Sequence, residues 1–415
     1  MQKYLMKFFS LFLVILSLCL GSCTSQAPIN PSSGRLSDPK PLTLLVSIDG
    51  FKPEYLQRGI TPNLQQLAIT GAAAQGMLPV FPSITFPNHF SMVTGLYPDH
   101  HGIVNNNMKD PEIREPFKLS SRTAVTNPAW WTGGVPIWVS AQQQGLRSST
   151  LFWPGSETTI KGIQPNDWLY YDKNMSASAR VSKLLEWLHR PKTERADFAT
   201  LYFEDVDSMG HRYGPNSNEV NLSLVQVDLA IHQLIMGLKE TGLYDQTTLI
   251  IVSDHGMAEV PPRNQIRLNQ LLSNFSQYSV EWQGPLAGIN LNGNSEKLLL
   301  NALKQSTYMS CWPKKEIPTQ YHFGSNPRIP DVVCLADLGW TIIEGTSLFN
   351  IQGQHGFDPQ LKEMHGIFIA SGYRIHQQRL NTFENIEVYP FLCHLLDIVP
   401  EKNDAKDILF RQIVQ

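Results

Sequence analysis

Cysteine is scarce, with five in 415 residues, too few for a disulfide-stapled scaffold. A charge excess of one sign is missing as well. Lys plus Arg number 33 against 36 Asp plus Glu, a net of −3, so there is no basic surplus of the kind that recruits a nucleic-acid duplex. The apolar run Phe8–Leu20 falls short of the roughly 18–20 residues that a membrane-spanning helix needs. There is no internal repeat. What remains is an ordinary globular composition, 42% hydrophobic and 17% charged, long enough for one large α/β domain or two smaller ones.

The N-terminus reads as a targeting segment. Lys3 and Lys7 precede the Phe8–Leu20 run, and Leu20-Gly21-Ser22-Cys23 places small residues before a cysteine. That pattern is a bacterial lipobox, with an ordinary secretory signal as the alternative. Residues 1–22 are then a signal peptide, and a lipid on Cys23 anchors the mature chain without spanning. Thr24 after the cysteine suits outer-membrane sorting, so the protein is expected to be exported, periplasmic or anchored in the outer membrane. Residues 23–40, rich in Ser and Pro, read as a flexible tether. With Cys19 removed and Cys23 acylated, three cysteines remain. At most one disulfide forms among Cys311, Cys334 and Cys393, and Cys311 with Cys334 is the favoured pair.

Three near-continuous apolar runs follow, Leu42–Ile48, Phe198–Phe203 and Thr247–Ser253. Such runs are the mark of strands buried on both faces of a mostly parallel sheet. Each runs into acidic chemistry: Asp49-Gly50 after the first, Asp207 and His211 after the second, Asp254-His255 after the third. One Asp-Gly is equally a turn. Three carboxylates at buried strand ends need partners, and open α/β sheets bind ligands at that edge. Asp207 and His211 share a helical face if that segment is helical, and oxygen with imidazole suits zinc. His355 adds a further imidazole in the Gly-framed loop Gly353-Gln354-His355-Gly356. The stretch Phe81-Pro82-Ser83-Ile84-Thr85-Phe86-Pro87-Asn88-His89 puts a hydroxyl on a Pro-bracketed turn, either a nucleophile or a buried strand end. Helices are expected from Thr61-Pro62, over Ala179–Leu188, after Asp207 to Gly242, over 295–305 and over Asn385–Leu396, with strands around 318–343 and at Met364–Ala370. Trp168, Tyr170 and Tyr171 are either core or the wall of a slot for a flat group.

Asp49, Asp207, His211, Asp254, His255 and His355 together supply three oxygen and three nitrogen donors, enough for two zinc ions with three protein ligands each. On Thr85-Phe86-Pro87-Asn88-His89, Tyr97-Pro98 with His101-Gly102-Ile103, Pro136-Ile137-Trp138, Phe152-Trp153-Pro154-Gly155, Asp207 through Gly214-Pro215, Ser253 to Met257 and His355-Gly356, the chain resembles the nucleotide pyrophosphatase/phosphodiesterase family of the alkaline phosphatase superfamily. The resemblance covers roughly residues 41–400.

It implies an α/β fold with an alkaline-phosphatase-like central, mostly parallel sheet flanked by helices. A single catalytic domain would span 41–415, with 259–350 as a smaller inserted or cap region. It also implies two Zn(2+) per chain and release of nucleoside 5′-monophosphates through a phosphothreonine intermediate. By resemblance, Thr85 is the nucleophile, held on one zinc with Asp49, Asp254 and His255; Asp207, His211 and His355 hold the other. Asn106 is implied as donor to a phosphate oxygen, and Phe86 and Tyr171 as the aromatics that sandwich a base, Tyr170 competing for the second place. His89, His101 and His365 are read as structural. Val206, Met209 and Phe357 depart from the family pattern, and none removes a ligand. The expected partners are a small nucleotide or phosphodiester and, through the anchor, a membrane; no duplex nucleic acid is expected, and the chain is taken as a monomer. Two other readings stand beside this one: a choline- or glycerol-headgroup phosphodiesterase, since aromatics also bind choline, and a silent zinc-binding lipoprotein.

Overall fold

Residues buried on both sides of a strand leave it no solvent face, and the three apolar runs behave accordingly. Leu42–Ile48, Phe198–Phe203 and Thr247–Val252 are strands in which every residue is buried. The computed structural model describes residues 41–293, 296–345 and 351–414. Residues 1–40, on which the expected signal peptide, tether and acylated Cys23 fall, lie outside the described residues.

The three strands lie side by side in an eight-stranded sheet. Its order is Gln378–Leu380, Ala72–Ala74, Phe368–Gly372, Thr247–Val252, Leu42–Ile48, Phe198–Phe203, Ser148–Leu151, Asp167–Leu169. Leu42–Ile48 pairs parallel to both neighbours, and the ladder stays parallel out to Asp167–Leu169. Phe368–Gly372 is the exception and runs antiparallel to both of its neighbours. The expected central, mostly parallel α/β sheet is therefore present. The expected strand at Met364–Ala370 starts later, at Phe368, behind a 3₁₀ turn over Lys362–Met364.

Strand alternation decides which face each side chain serves. Leu44, Val46 and Ile48 pack in one core with the helices Pro62–Thr70, Ala177–Leu188 and Asn218–Glu240. Leu224, Val227, Ile231 and Leu234 recur at helical spacing and are fully buried there, each contributing about 1.5–3 kcal/mol. Leu45 faces the opposite core, built with the helices Thr85–Thr94, Ile137–Gln143 and Val388–Leu396.

A second, four-stranded sheet is antiparallel throughout, in the order Tyr278–Trp282, Leu286–Leu291, Val332–Ala336, Met309–Pro313. The helix Glu296–Leu303 packs its Leu299 and Leu303 into the core of this region. Cys311 and Cys334 face each other across two of its strands and form a disulfide, leaving Cys393 free and buried. Strands were expected around 318–343, and Val332–Ala336 and Thr341–Ile343 are strands; the start of the range is not, since Thr319–Tyr321 form a 3₁₀ turn after Pro318, which has no N–H to give a ladder.

Candidate active site

Because three neighbouring strands run parallel, their carboxyl ends sit side by side, and so do the residues that follow them. Asp49 follows Ile48, Asp254-His255 follows Val252 by one residue, and the helix Asp205–Tyr213 starts just past Phe203. These loops approach closely enough to require glycine. Gly50 has φ +70°, and a Cβ there would stand 3.1 Å from both Cα and Cβ of Asp207. A Cβ on Gly353 would stand 2.3 Å from the Gly210 carbonyl oxygen, so the His355 loop lies directly against the His211 helix.

The three candidate histidines share one arrangement. His255 Nδ1 donates to the Gly256 carbonyl at 2.9 Å, His355 Nδ1 to Ser83 at 2.8 Å and His211 Nδ1 to Gly353 at 2.8 Å. With each Nδ1 proton committed to a carbonyl, each Nε2 is the atom left to bind something else. His255 Nε2 lies 3.0 Å from Asp254 Oδ2 and 3.5 Å from Asp49 Oδ1. His211 and His355 Nε2 lie 3.5 and 3.7 Å from Asp207 Oδ1. Those same oxygens, Asp49 Oδ1, Asp207 Oδ1 and Asp254 Oδ2, are buried and accept no well-aligned hydrogen bond. A lone pair and a carboxylate oxygen cannot stay this close in a dry site unless a proton or a cation sits between them.

The charges say the same. Burial first, then the Asp254 and Asp207 charges, push the Asp49 carboxyl well above its usual range. Burial would raise Asp254 too, but the neighbouring His255 and His89 hold it well below. Burial and the adjacent His255 press His355 well below the ordinary imidazole value. A cluster in which one carboxyl prefers its proton while its neighbour is ionised is short of positive charge. Two tight trios of possible metal ligands result: Asp49, Asp254 and His255, and Asp207, His255 and His355. The donor set of carboxylates and imidazoles fits zinc. His255 belongs to both trios, its ring stacked 3.5 Å from that of His355, whereas His211 stands one step outside, beside Asp207.

Thr85 borders this cluster, its Oγ1 3.3 Å from His255 Nε2. It is not on a turn. It is the first residue of the helix Thr85–Thr94, and Pro87 fits there because first-turn N–H groups have no intrahelical acceptor. Asn106 Oδ1 accepts the Phe86 N–H at 2.9 Å, which leaves its two amide protons for a ligand. Phe86 is half-buried against Phe117 and Trp131. Tyr171 and Tyr170 part company. Tyr170 packs on Trp168 and under Arg122, while Tyr171 packs on Phe152 and Tyr202, whose hydroxyl donates to Asp49 Oδ2 at 2.6 Å. Tyr171 is thus the tyrosine connected to the cluster.

Residues unremarkable in the sequence hold these groups in place. His89, one turn beyond Thr85, is buried; its Nδ1 donates to the Thr85 carbonyl at 2.9 Å and lies 3.3 Å from Asp254 Oδ2, and its Nε2 meets Ser47 Oγ at 2.8 Å. The i,i+4 spacing from Thr85 was the one available signal. Tyr202 carried none, reading as an apolar strand residue. His101 and His365 stand outside both trios.

With this geometry in hand, comparison with known proteins is informative. The family described as type I phosphodiesterase / nucleotide pyrophosphatase matches residues 43–358. A venom phosphodiesterase of Crotalus durissus collilineatus is 37% identical over 402 residues, covering 93% of this chain and 47% of the relative. The bis(5′-adenosyl)-triphosphatase of Xenopus laevis is 35% identical over 397 residues, covering 95% of this chain and 84% of the relative. The chain spans about half the length of the venom phosphodiesterases it matches. Among solved structures, an inactive threonine-to-alanine variant of murine ectonucleotide pyrophosphatase / phosphodiesterase 5, in complex with AMP, superposes with a TM-score of 0.86. It is 30% identical and matches over 90% of this chain and 100% of that one.

Proposed function

The chain belongs to the type I phosphodiesterase / nucleotide pyrophosphatase family, and we propose from it that this protein is a two-zinc hydrolase releasing nucleoside 5′-monophosphates from nucleotide diesters and anhydrides. The observation that carries the proposal is Thr85 Oγ1 beside His255 Nε2, at the edge of three buried carboxylate oxygens that face imidazole nitrogens without a well-aligned hydrogen bond. Asp49, Asp254, His255 and Thr85 would hold one zinc, and Asp207, His211 and His355 the other.

When bound, zinc supplies Lewis acidity, lowering the pKa of an oxygen nucleophile and offsetting charge on the phosphoryl oxygens. Thr85 Oγ attacks phosphorus in line with the leaving group; the new P–O bond forms as the bond to the leaving oxygen breaks, giving phosphothreonine. Water then attacks the same phosphorus, breaks the Thr85 Oγ–P bond and frees the monophosphate. Asn106 donates from its amide to a phosphate oxygen. Phe86 and Tyr171 receive the base between aromatic faces, and the murine relative's complex with AMP supports a nucleotide as the substrate class. We further propose a monomeric, exported lipoprotein anchored through Cys23, with 41–415 as catalytic domain and 259–350 as its cap.

Thr85→Ala should lower turnover of p-nitrophenyl thymidine 5′-monophosphate by several orders of magnitude while the protein keeps two zinc ions, counted by atomic emission. Retained turnover overturns the nucleophile assignment. Faster cleavage of p-nitrophenyl phosphocholine than of the thymidine ester by the wild type would assign the slot to lipid headgroups instead.

A further inference from the structure

Behind Tyr171 lies an ion pair that the proposed chemistry does not use. Arg180, on the helix Ala177–Leu188, is 1% exposed, and its guanidinium is fully engaged. Nε donates to the Met175 carbonyl at 2.8 Å, Nη1 to the Tyr202 carbonyl at 2.9 Å and to Glu204 Oε2, and Nη2 to Glu204 Oε1 at 2.7 Å. A buried pair of this kind adds little net stability, because desolvating both ions offsets most of their attraction. Its geometry offers another role. The guanidinium lies 5.0 Å over the Phe152 ring and 5.8 Å from the Tyr171 ring. The Tyr171 hydroxyl interacts with both Glu204 and Arg180. Tyr171 stands past the end of the Asp167–Leu169 strand, so no ladder holds its ring; side chains do. Phe152, the other face of this packing, has φ +67°, a conformation that non-glycine residues adopt only when their surroundings impose it. Glu204 joins the strand that carries Tyr202, the partner of Asp49, to the helix that carries Asp207 and His211.

We infer that the Arg180–Glu204 pair is a positioning device, setting the Tyr171 wall at a fixed distance from the carboxylates that bracket the reacting phosphate, and thereby determining the site's discrimination for a flat group. This rests on the nucleotide reading above. Loosening the pair moves the Tyr171 wall first, because neither Arg180 nor Glu204 belongs to the two ligand trios.

The test compares p-nitrophenyl thymidine 5′-monophosphate with methyl p-nitrophenyl phosphate, whose non-leaving side carries neither a nucleobase nor any other flat group, on zinc-loaded protein. Arg180→Lys keeps the charge and loses the two-pronged bond. It should raise KM for the thymidine ester about ten-fold, the worth of one stacking face, with kcat little changed and kcat/KM for the baseless diester unchanged. Glu204→Gln and Tyr171→Phe should shift KM for the thymidine ester in the same direction, and they carry the test if Arg180→Lys does not fold. Equal losses on both substrates, or none on either, overturn the inference. Phe86→Ala, measured alongside, separates the two levels. A thymidine-selective loss there without one at Arg180→Lys overturns the positioning role and leaves the nucleotide reading standing; no selective loss at Phe86→Ala overturns both.

Discussion

Tyr202→Phe deletes one oxygen, the hydroxyl that donates to Asp49 Oδ2 at 2.6 Å. Both residues are buried, so no water replaces the lost donor. A hydrogen bond to an ionised group is worth about 1.5–3 kcal/mol. At about 1.4 kcal/mol per factor of ten, that is roughly a ten- to hundred-fold loss in zinc affinity, the range typical of partners that orient a metal ligand. The loss depends on Asp49 being charged. Burial and then the Asp254 and Asp207 charges drive the metal-free carboxyl well above its ordinary range, toward its protonated form, in which the Tyr202 bond matters less. The variant should therefore lose about 1.5–3 kcal/mol of unfolding free energy when zinc-loaded and clearly less when stripped. Chelator competition reads the affinity, and urea titrations with and without EDTA read the difference. Unchanged affinity, or equal destabilisation of both forms, refutes the reasoning.

Two further outcomes follow from other parts of the fold. Burial lowers His101 to about 3, and its ring is neutral, hydrogen-bonded to Ser91 Oγ and to the Ile103 N–H. The unfolded chain takes up a proton near pH 6.5 that the folded state refuses, so this residue's contribution to stability falls as pH drops from about 6.5 toward 3. Metal-free wild type should lose about 2 kcal/mol more than His101→Gln between about pH 7 and pH 5; parallel urea stabilities across that range would contradict this. Replacing both Cys311 and Cys334 by Ser opens a loop with sequence separation 23. That should cost about 3 kcal/mol, concentrated in the antiparallel sheet, and hydrogen exchange should show faster opening of 309–313 and 332–336 while the Leu42–Ile48 strand is unaffected.

Much of the architecture is local in origin. A run such as Thr247–Val252 offers no solvent face, so it reads as a strand buried on both sides, and the carboxylate after it falls at the edge where open α/β sheets bind ligands. Asp207 and His211 share a helical face because helical spacing alone puts them there. Residue identity and short-range period decide such features, and all six candidate ligands were legible from them. What depended on distant chain was not. Each imidazole is oriented by a backbone carbonyl, Gly353 for His211 and Ser83 for His355, 142 and 272 residues away. Carbonyls occur at every residue and leave no mark in the sequence. Tyr202 reads as one more apolar strand residue until the neighbouring strand sets Asp49 beside its hydroxyl. Tyr170 and Tyr171 are equivalent as letters; only the packing of Arg180 and Phe152 distinguishes them. Thr85 looked like a turn because proline marks both turns and first helical turns, and the Asn106 side chain on its helix end is set by tertiary contact. The sequence by itself thus determined which groups meet at the sheet's edge, since that follows from local pattern. Tertiary structure decided which atom of His211 and of His355 faces inward, since partners far along the chain set it, whereas His255 is oriented by its neighbour Gly256.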